Sequence, residues 1–288
     1  MKIIGHQKQF AFLKRSTELG KAAHAYLFSG QEKLGKKTLA IEWASLITGQ
    51  PFREHHPDFV LVEAKDNKIQ ISQIRDLIWR LSLKPAVLSS KIAIIDNAHL
   101  MGIDAQHALL KTLEEPKGDS MLILITDRPE SLFPTIRSRC ETVKFYPVQK
   151  TEILNYLKQQ NIYSEKAEEI AVLSRGRPGE AIKFALNPNR LKERKRITEE
   201  LDKISASLLY RKFQYAQELS QKENLIEVLE IWLSFLRTKL IEEANEVGIQ
   251  LSSSRTKEKL NLLQELYSLL LTRNINPKLA LENLFIKI

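Results

Sequence analysis

Five short apolar runs constrain this chain more than any other feature. They are AYLFSG (25–30), DFVLV (58–62), KIAIID (91–96), MLILIT (121–126) and ETVKF (141–145). Most show no polar alternation, and helix-length segments separate them. A strand with one wet face alternates, whereas a strand covered on both faces reads as a continuous apolar run. Parallel strands also need long crossovers, usually helical, and these supply the cover. The runs therefore predict an α/β domain with a parallel sheet over residues 1–147. Between the second and third runs, ISQIRDLIWRLSL (71–83) has the i, i+3, i+4, i+7 spacing of an amphipathic helix.

After Pro147 the pattern changes. Residues 148–187 read as a small helical domain: KTEILNYLKQQ, SEKAEEIAVLS with Ser164 as a helix start, then GRPGEAIKFAL, closed by an Asn-Pro-Asn turn at 187–189. Residues 190–288 form a third stretch with no convincing strand. Its leucine-rich amphipathic segments at 225–244 and 256–273, joined through Ser252–Ser254, predict an all-α domain with stripes to bury in a bundle or against another subunit.

A chain of 288 residues has room for such a multidomain arrangement. The net charge of +9 suits work near nucleic acid, but the charge is spread evenly. Residues 1–147 hold 21 Lys/Arg and 16 Asp/Glu, and residues 148–288 hold 23 and 19, so no basic arm for reading DNA stands out. Cys140 is the single cysteine, which excludes an internal disulfide and fits a reducing compartment. The start carries no signal-peptide core and no run is long enough to span a membrane. A cytoplasmic location is expected.

FSGQEKLGKKTLA (28–40) lies between a strand and a helix. Gly30, Gly35 and Lys36 meet the spacing of a phosphate-binding loop, in which glycine backbone N–H groups and a helix N-terminus cradle a phosphate. The residue after Lys36 should be a Ser or Thr that holds Mg²⁺, and here it is Lys37. A shifted loop could offer Thr38 instead. Successive helix residues point about 100° apart, which turns Thr38 away. KIAIIDNAHLM (91–101) ends a strand on Asp96, the position of a magnesium-binding carboxylate. The next residue, Asn97, is an amide and cannot serve as a base. The bland alternative for Asp96 is a cap on the following helix. In SLFPTIRSRCETVKF (131–145), Arg137 and Arg139 are either solvated charge or guanidinium forks suited to a phosphoryl group.

These residues carry a family likeness. IGHQ (4–7), HAYLFSG (24–30), HPD (56–58), IDNAHLM (95–101), ALLKTLEEP (108–116), LIT (124–126) and RSRC (137–140) resemble bacterial DNA polymerase III clamp-loader subunits of the AAA+ class over most of residues 1–185. The resemblance implies an AAA+ P-loop α/β domain, a helical lid at 148–187 and a helical collar at 190–288. It implies as partners the gamma/tau and delta subunits, with the sliding clamp and primed DNA reached through the complex.

The family contains a hydrolysing motor, gamma/tau, and a relative, delta prime, that generally does not hydrolyse ATP. Lys37 and Asn97 depart from the motor pattern. So does Gly179 in SRGRPGEA (174–181), which falls where the motor has a nucleotide-sensing arginine, while Thr126 keeps the other sensor-like place. The Ser-Arg-Cys arginine, which in this family acts on a neighbouring subunit's ATP, is intact. The pattern resembles delta prime. It implies no required cofactor, at most weak magnesium-independent ATP or ADP binding with Lys37 in place of the cation's charge, and an arginine offered in trans: Arg139, or Arg137 as second choice. The rivals are an active gamma/tau-like motor using Thr38, and a small-molecule kinase, which leaves RSRC and ALLKTLEEP unexplained. Many family members hold zinc through four cysteines near residues 48–59. Here that segment has only His55 and His56, read as surface or turn residues, and no metal site is expected.

Overall fold

A computed structural model describes residues 3–51, 56–88, 90–116, 119–247, 255–273 and 275–288. The chain divides into two compact units, Met1–Ile182 and Lys183–Ile288.

In the first unit, helix α1 (Gln7–Glu18) leads to strand β1 (Ala25–Ser29) and helix α2 (Lys36–Thr48). Strand β2 (Phe59–Val62), α3 (Ile71–Ser82), β3 (Lys91–Ile95), α4 (Ile103–Glu114) and β4 (Ser120–Thr126) follow. A short α5 (Pro134–Ser138) precedes β5 (Glu141–Lys144). Every neighbouring pair is parallel, in the order β2-β3-β4-β1-β5. All five apolar runs thus become strands of one sheet, as the sequence predicts.

Alternate residues of each strand feed opposite cores, as the pleat requires. Leu27, Val62, Ala93, Ile95 and Leu124 pack with Ile74 and Leu77 of α3 and Leu109 of α4. Tyr26, Phe28, Ile94 and Ile123 pack on the other face with Leu13 of α1 and Leu39 and Trp43 of α2. Cys140 is buried in the first of these cores, where burial pushes its thiol up to about 12.

Helices α6 (Lys150–Gln159) and α7 (Ser164–Ser174) and the start of α8 (Pro178–Leu186) complete this unit. They join the sheet domain where the chain runs tightly. The N–H of Val148 donates to the Gly176 carbonyl at 2.8 Å, and a Cβ on Gly176 would sit 2.7 Å from both Pro147 Cβ and the Val148 carbonyl.

The second unit holds the rest of α8 and then α9 (Pro188–Ser205), α10 (Leu209–Ser220), α11 (Leu225–Val247), α12 (Arg255–Thr272) and α13 (Pro277–Lys287). No strand occurs among its described residues. Trp232, Leu229, Leu263, Leu281 and Phe285 fill its centre, and the Trp232 indole donates to the Ile197 carbonyl at 2.8 Å. The leucine stripes are therefore buried largely within a local bundle. The Asn-Pro-Asn segment, expected as a turn, is a helix start instead. The Asn187 side chain accepts from the backbone N–H groups of Asn189 and Arg190, and Pro188 takes the first helical position. Ser252–Ser254 lie outside the described residues.

Candidate functional site

The carboxyl ends of the parallel strands gather Gly30 after β1, Glu63 after β2, Asp96 after β3 and Thr126 at the end of β4. Open α/β sheets place ligand sites at this edge. Gly30 has φ 149°, and a Cβ there would lie 2.4 Å from the Phe145 carbonyl oxygen, so only glycine fits. Gly35, at φ 93°, opens α2. The Lys36 side chain is buried and folds back on its own loop. Its ammonium donates to the carbonyl of Gly30 and, at 2.6 Å, to that of Gln31. Burial pushes it below the usual lysine range, against the opposing pull of Asp127, Glu32 and Asp96.

Lys37 points into the same edge. Its ammonium pairs with Glu63 and stands 3.6 Å from Asp96 Oδ2. A lysine cation therefore sits on the strand-end carboxylate that a magnesium ion would use, and the residues present do not fit a family-type magnesium site. Asn97 is left-handed (φ 52°) and its backbone N–H donates to Asp96 Oδ1 at 3.0 Å. Asp96 thus caps the turn after β3 and also answers Lys37. Thr38, half-buried, follows on the next position of α2.

Thr126 is fully buried. Its hydroxyl accepts from the Arg128 N–H at 3.0 Å and lies 3.3 Å from His99 Nδ1, which in turn is 3.0 Å from Asp127 Oδ1. Gly179 backs directly onto the phosphate-type loop. Its N–H donates to the Lys33 carbonyl at 2.9 Å, and a Cβ there would meet Lys33 Cβ and O at 3.1 Å. The adjoining Glu180 is buried and pairs with the Lys33 ammonium. The start of α8 is thereby latched to the loop.

Arg139 lies at the other end of the sheet. It leads into β5, whose first residue, Glu141, is level with Tyr26 of β1. From Tyr26 to Gly30 the strand rises about 13 Å, at about 3.3 Å per residue. The Arg139 guanidinium is held on two sides: Nη2 lies 2.8 Å from Glu114 Oε1, and Nη1 donates to the Thr135 carbonyl at 3.0 Å. Arg137 is exposed on α5, and its guanidinium has no hydrogen bond or ion pair among the described residues. The sequence-derived site residues thus form two groups, with Gly30, Gly35, Lys36, Lys37, Asp96, Asn97, Thr126 and Gly179 at one edge and the two arginines at the opposite one. His55 lies outside the described residues. His56 uses Nδ1 to accept the Asp58 N–H at 3.1 Å and packs on Phe59, a turn role.

Residues 5–149 match the family model described as DNA polymerase III, delta subunit. The chain belongs to that family. Its sequence is delta-prime-like within it. Over 136 residues it is 35% identical to DNA polymerase III subunit delta' of Pseudomonas aeruginosa, covering 41% of this chain and 42% of that protein. Over 190 residues it is 32% identical to the delta' subunit of Bacillus subtilis, covering 61% and 57%. The tau subunit of Bacillus subtilis is 29% identical over 168 residues, 53% of this chain and 30% of that one. The matches span about half the length of the delta' relatives. A DNA polymerase III gamma-subunit-related protein from Thermotoga maritima shares the fold at a TM-score of 0.53 and 21% identity, covering 96% of this chain and 97% of that one. The family member described here has the AAA+ fold, with an all-α region after it. No helix among its described residues is long and apolar enough to cross a membrane.

Proposed function

We propose that this chain is a non-hydrolysing, delta-prime-like subunit of the DNA polymerase III clamp loader, and that it offers Arg139 to ATP held by a neighbouring subunit. The observation that carries this reading is the placement of Arg139 at the edge of the sheet opposite its own phosphate-type loop. An arginine there is of no use to a ligand at Gly30–Lys36, whereas a neighbour packed against that edge could use it. The state of the loop supports the other half of the reading. Lys36 is spent on its own loop carbonyls, Lys37 occupies the Asp96 carboxylate, and Asn97 offers no base. ATP or ADP binding is then weak and independent of magnesium. The partners are the gamma/tau and delta subunits, and through them the sliding clamp and primed DNA.

The gamma/tau-like alternative needs Thr38 to reach Asp96, a place that the Lys37 ammonium holds at 3.6 Å. In systems with an arginine finger, the group is worth roughly 10³–10⁵ in turnover. Lysine lacks the planar fork and is a poor replacement. The test is a reconstituted clamp loader in which only this chain carries Arg139→Ala or Arg139→Lys. Assembly should survive, and DNA-stimulated ATP hydrolysis should fall, in part if other interfaces supply their own arginines. Wild-type hydrolysis in both variants, with assembly intact, would contradict the proposal. Loss with Arg137→Ala alone would move the role to that residue.

A further inference from the structure

The helical unit Lys183–Ile288 contains a polar cavity that the ATP-related reading does not use. Its volume is about 390 Å³, within the roughly 300–1,000 Å³ range of small-ligand pockets. Three helix ends meet there. Asp202, Ser205 and Ala206 come from the end of α9, Arg255, Glu258 and Lys259 from the start of α12, and Lys287 and Ile288 from the end of α13. Two more lysines act on Lys259 from the remaining helices, Lys212 on α10 and Lys239 on α11. Charged groups of three helices thus line the cavity, and lysines of the other two complete helices of the unit act on Lys259 from outside the lining.

Among the described residues here the cations outnumber the acids. Arg255, Lys259 and Lys287 line the cavity with Asp202 and Glu258, Lys239 reaches Asp202 from outside the lining, and Lys212 adds its like charge at longer range. A carboxylate at Ile288 would raise the anions only to three. Asp202 lies 3.5 Å from Lys239, and none of the other four cations makes an ion pair within 4 Å among the described residues. Lys259 is half-buried and its ammonium is pushed below the usual lysine range. Burial is the largest cause; Asp202 opposes it, and the like charges of Lys239, Lys212 and Arg255 add to it. Crowding like charges round a concave surface costs stability unless an anion visits it.

We propose that this cavity is a phosphate-binding site, supplied either by the backbone of a single nucleic-acid strand or by a free polyphosphate. Arg255 would meet the phosphate oxygens with its planar fork. Lys259, one turn further along α12, and Lys287, at the end of α13, would act as point charges. Two oxygens of a phosphate can thus be answered from different helices.

The test uses the full chain, a fluorescein-labelled oligodeoxythymidine and tripolyphosphate. Binding of each is measured by anisotropy or calorimetry for the wild type, for Arg255→Gln with Lys259→Gln, and for a charge-matched control in the first unit, Lys8→Gln with Lys21→Gln. Far-UV circular dichroism and a melting curve check folding. Lys287→Gln alone, at the exposed end of α13, carries the test if the double variant unfolds. The expected result is at least a tenfold loss of affinity in the cavity variant and little change in the control. For the labelled strand, the salt slope should flatten by about 1.4 when two cations are removed. Loss confined to the strand identifies a phosphodiester backbone as ligand, and loss confined to tripolyphosphate identifies a free polyphosphate. Equal losses in cavity and control variants, or no binding of either probe by the wild type, would overturn the proposal.

Discussion

The two edges of the same sheet treat their cations in opposite ways. At the carboxyl edge, Lys36 is buried and donates to two loop carbonyls, while Lys37 makes a partly exposed pair with Glu63 and stands near Asp96. At the amino edge, Arg139 rests on the half-exposed Glu114, and the exposed Arg137 has no ion pair among the described residues. Exposed ion pairs are worth about 0–1 kcal/mol, so Arg139 can exchange Glu114 for another anion at little cost. Lys36 would have to leave a buried position and give up two carbonyl acceptors. The comparison teaches that a fold can bury one cation against its own backbone while leaving another, at the far end of the same sheet, in an exposed pair.

The largest expected effect at the closed edge is that of Gly30→Ala. The new Cβ would lie 2.4 Å from a backbone oxygen at a backbone angle that L residues rarely adopt. A loss of about 3 kcal/mol or more is expected in denaturant unfolding, from strain and displacement together. A loss below 1 kcal/mol would mean that the loop is loosely held, and the contrast between the edges would weaken.

Next is a pH effect beside the other edge. Cys140, adjacent to Arg139, has its thiol pushed up from 9.0 to about 12 by burial. A group whose folded value is raised stabilises the fold below its unfolded value and loses that contribution as pH rises toward the folded one. Stability should therefore decline between pH 9 and pH 12, and Cys140→Ala should flatten part of that decline. At pH 8 the thiol should resist a thiol reagent until the chain unfolds. Rapid labelling of the native chain would show that the Arg139 end is open to solvent.

A smaller effect sharpens the comparison. Lys37→Ser removes the cation from Glu63 and Asp96 and restores a hydroxyl. Because the Glu63 side chain is 55% exposed, the stability change should stay within about 1 kcal/mol. Magnesium should then raise the melting temperature of the variant and not that of the wild type, while turnover stays absent because Asn97 remains. Magnesium-dependent stabilisation of the wild type would contradict the assignment of Lys37 as the cation at Asp96.

Much of this was legible in the sequence because it is local. Unbroken apolar runs of strand length specify a buried parallel sheet, and all five took their places. Gly30, Gly35, Lys36 and Asp96 were readable because a strand end followed by a turn places them at one edge. The partners were not readable. Glu63 meets Lys37 from 26 residues away, and Glu180 meets Lys33 from 147. A lone glutamate carries no periodic signal, although a carboxylate just past a parallel strand, as Glu63 is, belongs at the ligand edge. Sequence spacing could not rank Arg139 against Arg137, because the short helix α5 turns two nearby side chains to different surroundings. Asn-Pro-Asn at 187–189 suits both a turn and a helix cap, and only the continuing helix decides between them.

The most direct measurement sets the two edges against each other inside the working assembly. Clamp loaders are reconstituted in which only this chain carries either Lys36→Met or Arg139→Ala, and DNA-stimulated ATP hydrolysis is recorded at saturating ATP. The account predicts that the Lys36→Met complex hydrolyses ATP like the wild type, while the Arg139→Ala complex is slowed by the share that this interface contributes. A loss in the Lys36→Met complex with the Arg139→Ala complex unaffected would contradict it, because the chain would then be using its own phosphate loop and not serving its neighbour's.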